Sequence, residues 1–219
     1  MSADALFSYA VELEQKGDYG RSATEFGRYI HFAERFSKDE RPRLEEAHFR
    51  LAMNLAENGE TQASLEAFSS FGERWPSSHF IAQALLRMGS LYEDSGRLSL
   101  AKQCYGRLIQ HFSDEKISSI GHLRLLGLAL SEPVDLITAR THLAQITHPD
   151  YQKKVNMMKK ELNRLEQWPE KSPHWALVWS IFFPGAGHFY LGRLRESLFS
   201  FLSNFLLNRT QHGIRSFFV

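Results

Sequence analysis

The sequence predicts an all-α fold, in which a solenoid of short helix pairs is followed by a C-terminal hydrophobic helical hairpin. Two observations lead to this prediction. A glycine, a small residue and an aromatic residue recur in the same order along the first part of the chain. After residue 173 the composition changes, because residues 174–191 contain no Asp, Glu, Lys or Arg. A small helical unit that recurs in this way buries its apolar stripe only by stacking against copies of itself.

The clearest copy of the repeat lies within residues 82–112, where apolar residues recur at helical spacing on both sides of Gly96. Ala101 and Tyr105 follow that glycine at distances of five and nine residues. The glycine allows the chain to leave one helix and turn back. The small residue lets the two helices approach closely, and we expect the aromatic ring to fill the space between neighbouring pairs.

The same spacing recurs in two earlier copies, around Gly17 with Ser22 and around Gly59 with Ser64. A fourth and weaker copy has Gly127 and Ala139, with Val134 in place of the turn glycine. Each of the first three glycines is also preceded, seven residues earlier, by a small residue. The residues predicted to pack the pairs together are Gly17, Phe26, Ala52, Gly59, Phe68, Gly89, Tyr92, Gly96, Ala101 and Tyr105.

This pattern resembles the tetratricopeptide repeat over residues 4–150, with about four helix pairs. The turn glycines are 42 and then 37 residues apart (59 − 17 and 96 − 59), which is longer than the usual repeat of about 34 residues. The longer repeat, and the segment from Phe71 to Ala82, resemble the repeat proteins of bacterial cell envelopes. The resemblance implies a scaffold that binds proteins.

The individual helices follow from apolar spacing and turn residues. They are predicted near residues 4–16, 19–36, 43–58, 61–74, 78–95, 97–112, 117–131 and 134–147. The polar segment 37–43 is predicted to be a solvated loop. Residues 151–167 are predicted to form a basic amphipathic helix, with Val155, Met158, Leu162 and Leu165 on one face. This helix is predicted to cap the last repeat, and its basic face either is only solvated or contacts phospholipid.

After a linker at 168–173, residues 174–208 are predicted to form a membrane hairpin, followed by a tail at 209–219. The first 18 residues of the hairpin approach the length that crosses a bilayer. This segment resembles small two-helix membrane modules with a Pro-Gly-x-Gly turn followed by Tyr-x-Gly-Arg. The matching and interfacial residues are Trp175, Trp179, Pro184, Gly185, Gly187, Tyr190, Gly192 and Arg193. The alternative is a buried hairpin that docks on the repeats.

The sequence offers little for catalysis or cofactor binding. Cys104 is the only cysteine, so it cannot form an internal disulfide and is expected to pack in the core. The net charge of +1 does not favour nucleic-acid binding. His142 and His148 are six residues apart, which is a weak spacing for zinc. We therefore expect no enzyme activity, no cofactor or metal, and no nucleic-acid or small-molecule partner.

The predicted partner is a protein or peptide bound on the concave wall formed by the first helix of each pair. The residues predicted to contact it are Arg50, Met53, Glu57, Arg87, Ser90 and Asp94. The alternative is that these side chains are only solvated.

The sequence thus predicts a non-enzymatic scaffold at the membrane of a bacterial cell envelope. Residues 1–10 show no signal-peptide pattern, and whether a signal was removed, like the side of the membrane that the repeats face, stays open. Two alternative functions also stay open. One is a structural subunit of a larger membrane complex for transport, secretion or assembly, and the other is a soluble adaptor.

Overall fold

The computed structural model describes residues 3–36, 41–112, 114–131 and 135–166. Within these residues the secondary structure is helical throughout, which confirms the all-α prediction for this part of the chain. The helices are α1 (Ala3–Gln15), α2 (Tyr19–Phe36), α3 (Arg41–Glu57), α4 (Thr61–Arg74), α5 (Ile81–Asp94), α6 (Leu98–His111), α7 (Glu115–Leu130), α8 (Leu136–Ala144) and α9 (Pro149–Glu166).

The chain divides into two compact units, Met1–Arg107 and Leu108–Val219. The first contains α1 to α5 and most of α6, and the second contains the end of α6 with α7 to α9. One boundary differs from the prediction, because α3 begins at Arg41, inside the segment expected to be a loop. Pro42 lies in the first turn of α3, where a helix does not need the backbone N–H that proline lacks.

The three predicted turn glycines share one backbone conformation. Gly17, Gly59 and Gly96 have φ angles of +77°, +84° and +72°, the left-handed region that favours glycine. The backbone N–H after each glycine donates a hydrogen bond to the carbonyl five residues earlier, at 2.8 or 2.9 Å. This hydrogen bond is the mark of a Schellman motif, which satisfies carbonyls that the end of a helix leaves unpaired.

Two of the small residues hold their helix pairs together by a buried hydrogen bond. Ser22 Oγ donates to the Ala10 carbonyl at 2.9 Å, so α2 is joined to α1. Ser64 Oγ donates to the Ala52 carbonyl at 2.8 Å, which joins α4 to α3 in the same way. Both serines are fully buried, so the two hydrogen bonds are shielded from water. The small residue of these copies is therefore both a spacer and a hydrogen-bond donor.

The third pair uses close packing in place of that hydrogen bond. Ala101 stands where the serines stand in the earlier copies, and it is fully buried. Gly89 on α5 lies directly against the ring of Tyr105 on α6, and a Cβ atom added at Gly89 would lie 2.3 Å from Tyr105 Cε1. Tyr105 has no exposed surface. A side chain at this position of α5 would overlap the tyrosine ring unless that ring moved.

The core of the first unit consists of two hydrophobic clusters, in which aromatic rings pack both within and between helix pairs. Phe26 packs edge-on to Phe7, with centroids 5.6 Å apart, and Phe49 stacks on Phe80 at 4.5 Å. The first cluster contains Ala3, Leu6, Ala10, Phe26, Tyr29, Ile30, Ala33, Leu44 and Ala47. The second contains Phe49, Ala52, Ala56, Leu65, Phe68, Phe71, Ala84 and Leu91.

The second unit has its own hydrophobic core, built from α7, α8 and α9. Asp114 and Asp135 cap α7 and α8, since each carboxylate accepts a hydrogen bond from the backbone N–H three residues later at 2.9 Å. The core cluster contains Leu123, Leu126, Ala129, Leu130, Ala139, Leu143, Ile146, Val155, Met158 and Leu162. Three residues of the apolar face predicted for α9, Val155, Met158 and Leu162, therefore pack inward, while Lys153, Lys159 and Lys160 are exposed.

The predicted linker, hairpin and tail all lie outside the described residues, which end at Glu166 in α9. The hairpin residues that the sequence singled out all fall there, namely Trp175, Trp179, Pro184, Gly185, Gly187, Tyr190, Gly192 and Arg193. Among the helices that the structure describes, none is both long enough and apolar enough to cross a membrane.

Candidate protein-binding surface

The residues predicted to bind a partner lie on α3 and α5, the first helices of the second and third pairs, and ion pairs join these two helices to each other and to α1. Arg50 on α3 donates from Nη1 to both carboxylate oxygens of Glu14 on α1, at 3.0 and 3.1 Å. Its Nε donates to Glu46 one turn earlier on α3, at 2.7 Å. Burial lowers the pKa of Arg50, but the carboxylates of Glu14 and Glu46 raise it by more, so the net pKa is raised.

A second ion pair joins α3 to α5. Arg87 Nη2 on α5 donates to Glu57 Oε1 on α3 at 2.9 Å, and the two side chains are 22% and 30% exposed. Both arginines of the predicted site are thus half-buried and paired with carboxylates of the neighbouring helix. Their charges are already paired within the chain, so the main role of the two arginines is to hold the neighbouring helices in place.

A buried asparagine supports the first of these ion pairs. Asn54 is 1% exposed, and its Nδ2 donates to the Arg50 carbonyl at 2.8 Å and to Glu14 Oε2 at 3.3 Å. Sequence reasoning did not identify Asn54, Glu14 or Glu46. The spacing of four residues between Glu46 and Arg50 is a helical ion-pair signal that the sequence does contain. Glu14 is 36 residues from Arg50, so only the fold brings the two together.

The remaining predicted contact residues differ in exposure. Asp94 is exposed and Met53 is half-buried, where it packs against the second core cluster. Ser90 is only 6% exposed, so its side chain faces the interior and does not contribute to an accessible surface. We call the accessible set the α1–α3–α5 surface; it consists of Glu14, Glu46, Arg50, Met53, Glu57, Arg87 and Asp94. Its four carboxylates exceed its two guanidinium groups, so its formal charge is −2 (−4 + 2).

A second polar cluster lies at the C-terminal end of α4. Arg74 pairs with Glu34 on α2, and its guanidinium lies 4.7 Å from the ring centroid of Trp75. The imidazole of His48 on α3 also packs against the Trp75 ring, and the two ring centroids are 4.8 Å apart. Burial lowers the pKa of His48, and the positive charge of Arg74 lowers it further. The hydrogen bond from Arg74 lowers the pKa of Glu34.

Other candidates for chemistry have structural roles in the described part of the chain. Cys104 is buried, as the sequence predicts, and burial raises the pKa of its thiol to about 11. Within the described residues, no group of three or more His, Cys, Asp or Glu side chains could hold a metal ion. Two histidines do meet across α7 and α8, where His122 Nδ1 lies 3.1 Å from His142 Nδ1. Burial lowers the pKa of His122, and the neighbouring His142 lowers it further.

Comparison with known proteins identifies the repeats. A family model described as a tetratricopeptide repeat matches residues 46–78 and 83–114, which include most of α3, all of α4, most of α5 and all of α6. These two segments are tetratricopeptide repeats, and repeats of this kind are typical of non-enzymatic proteins that bind other proteins. A search of curated proteins found no match.

Solved structures with the same fold include the kinesin-light-chain-like repeats of Podosopora anserina, described as nearly identical TPR-like repeats. A variant of those repeats is 14% identical, with a TM-score of 0.55, and the match covers 75% of this chain and 91% of that one. The parent structure is 12% identical, with a TM-score of 0.54, and the match covers 77% and 97% of the two chains. These likenesses establish a helical-repeat solenoid of the tetratricopeptide type.

Proposed function

We propose that this chain is a non-enzymatic scaffold that binds a protein partner through the α1–α3–α5 surface and is anchored to a bacterial cell-envelope membrane by residues 174–208. The observation that supports the binding part is the paired ionic surface itself. Three successive first helices present charged side chains that Glu14–Arg50 and Glu57–Arg87 hold in place. The membrane part is supported by the apolar composition of residues 174–191.

The arrangement suits an extended or helical segment that carries positive charge. The ion pairs between helices preorganise the side chains, so a partner loses little binding energy in ordering them. The excess of carboxylates attracts lysine and arginine side chains. Met53 adds a flexible apolar contact beside those charges. A membrane anchor raises the local concentration of a partner that is held at the same membrane.

Site-specific photocross-linking tests the binding surface. A photoreactive side chain is placed at Met53 or at Asp94, and matched controls carry it at Ser69 on α4 or Gln103 on α6, which are exposed positions on second helices. We expect a discrete cross-linked product from the first two positions and not from the controls. Equal cross-linking from all four positions would place the contact elsewhere.

Charge reversal of the two arginines is a poor test of the same surface. Arg50→Glu would leave three carboxylates, those of Glu14, Glu46 and the new residue, within one half-buried cluster. Loss of binding would then follow from loss of stability. Asp94→Arg is the better variant, because Asp94 is exposed, and we expect weaker capture of the partner with an unchanged helical spectrum.

Membrane fractionation tests the anchor. The full chain is compared with a version that ends at Ser172, by carbonate washing followed by detergent extraction. We expect only the full chain to stay in the washed membrane. If both versions are soluble and monodisperse, the membrane proposal is rejected and the soluble-adaptor alternative is favoured.

A further inference from the structure

The second unit contains a pair of histidines that neither the repeats nor the proposed binding surface uses. His122 lies on α7 and His142 on α8, and their Nδ1 atoms are 3.1 Å apart. The ring centroids are 5.3 Å apart and the ring planes are inclined at 42°, so the rings are not stacked and their nitrogen edges meet. Both side chains are half-buried, which leaves access from solvent.

Two facing imidazole nitrogens can share a proton or a metal ion. With a proton, one ring is the donor and the other the acceptor, so the two rings must adopt opposite tautomers. With a metal ion, both Nδ1 atoms offer a lone pair and both rings carry their proton on Nε2. Imidazole is a good ligand for zinc, copper and nickel, so the same pair of atoms can accept such an ion.

The distance between the two nitrogens fits a shared ion. With metal–nitrogen bonds of about 2.05 Å, a separation of 3.1 Å gives a nitrogen–metal–nitrogen angle of about 98°. That angle lies between the 90° of a tetragonal site and the 109° of a tetrahedral one, so either geometry needs only a small movement of the rings. We propose that His122 and His142 together bind one divalent first-row transition-metal ion through their Nδ1 atoms, with water in the remaining positions.

Core packing fixes the helix segments that carry His122 and His142. Leu123 and Leu126 on α7 and Leu143 on α8 lie in the core cluster of the second unit, each 3% exposed or less. The helices therefore present the two rings from fixed positions, which lowers the entropy that metal binding must overcome. An ion at this point joins α7 to α8, so it stabilises the folded form of the unit in which it binds.

Equilibrium dialysis of the full chain against Zn²⁺ tests the proposal. The variants are His122→Gln and His142→Gln, and His148→Gln is the matched control, since it removes a histidine of the same unit that lies outside the pair. We expect one zinc equivalent per chain to bind at least about tenfold more weakly in either of the first two variants, because loss of even a supporting partner costs a metal site about 10- to 100-fold. The control keeps the affinity of the original chain. Equal affinity in all four proteins, or equal loss in His148→Gln, overturns the proposal.

A second measurement needs no substitution, so it does not depend on the folding of a variant. In a Zn²⁺ titration followed by ¹⁵N NMR of the imidazole rings, we expect the Nδ1 signals of His122 and His142 to shift together and saturate at one equivalent. Zinc at about 100 times its Kd is expected to raise the thermal midpoint by about 5–10 °C. Cu²⁺ should bind more tightly than Zn²⁺. If the two Nδ1 signals do not shift, the pair shares only a proton and the proposal fails.

Discussion

The close approach of Gly89 to Tyr105 makes Gly89→Ala the most informative single substitution in the repeats. The added Cβ would lie 2.3 Å from Cε1, 2.5 Å from Cζ and 2.9 Å from the hydroxyl oxygen of Tyr105. Because the tyrosine ring has no exposed surface, it cannot move aside without displacing its neighbours. The substitution therefore overpacks the contact between α5 and α6.

The expected magnitude combines two opposing effects. Alanine is preferred to glycine inside a helix by about 1 kcal/mol. Overpacking of a tightly packed core costs roughly 1–3 kcal/mol, and contacts this short belong at the upper end of that range. The net loss in the free energy of unfolding is about 2 kcal/mol, which lowers the thermal midpoint by about 4–8 °C for a chain of this size.

Gly106→Ala is the matched control, because Gly106 is also helical but a Cβ atom there meets nothing within 4 Å. We expect this change to raise the free energy of unfolding by about 0.5–1 kcal/mol, through helix preference alone. Urea unfolding followed by circular dichroism at about 222 nm measures both variants against the original chain. If the two substitutions change stability equally, the packing of Tyr105 does not demand glycine at position 89, and this account of the third pair is wrong.

Three further outcomes follow from the first unit. Gly59→Ala places a side chain at a φ of +84° with nothing within 4 Å, so thermal unfolding should show a loss of about 1–2 kcal/mol from backbone strain alone. His48 has a lowered pKa in the folded chain, so it takes up a proton more readily when unfolded. Its contribution to stability is therefore complete above pH 6.5 and is lost as the pH falls below that value, and urea unfolding of His48→Gln should show a weaker decline over that range. Cys104, with a pKa of about 11 in place of 9.0, should react with iodoacetamide at pH 8 about 100-fold more slowly in the folded chain than in urea, as mass spectrometry can measure.

The sequence predicted best those positions where backbone conformation or close packing allows few residue types. Gly17, Gly59 and Gly96 were expected at turns, and all three have the positive φ that side chains disfavour. Phe26 and Phe68 were expected between the helix pairs, and both are almost completely buried. The reason is that these positions depend on spacing along one helix pair, which the sequence displays directly.

The contacts that sequence did not predict depend on distant parts of the chain. Glu14 meets Arg50 across 36 residues, and His122 meets His142 across 20, so neither contact has a local spacing signal. Ser90 was expected on the binding surface, but helical spacing alone does not fix which edge of an apolar face is covered, and the structure places it in the interior. Arg50 and Arg87 were expected to contact a partner, and in the structure each forms an ion pair that joins two helices.

The two ion pairs between first helices give the array a direction. On α3, Arg50 meets a carboxylate of the helix before it, and Glu57 meets a guanidinium of the helix after it. The second helix pair is therefore complementary to a copy of itself in head-to-tail order, since the arginine of one copy would meet the glutamate of the preceding one. Tandem duplication of this pair would therefore preserve the ion pair between neighbouring first helices.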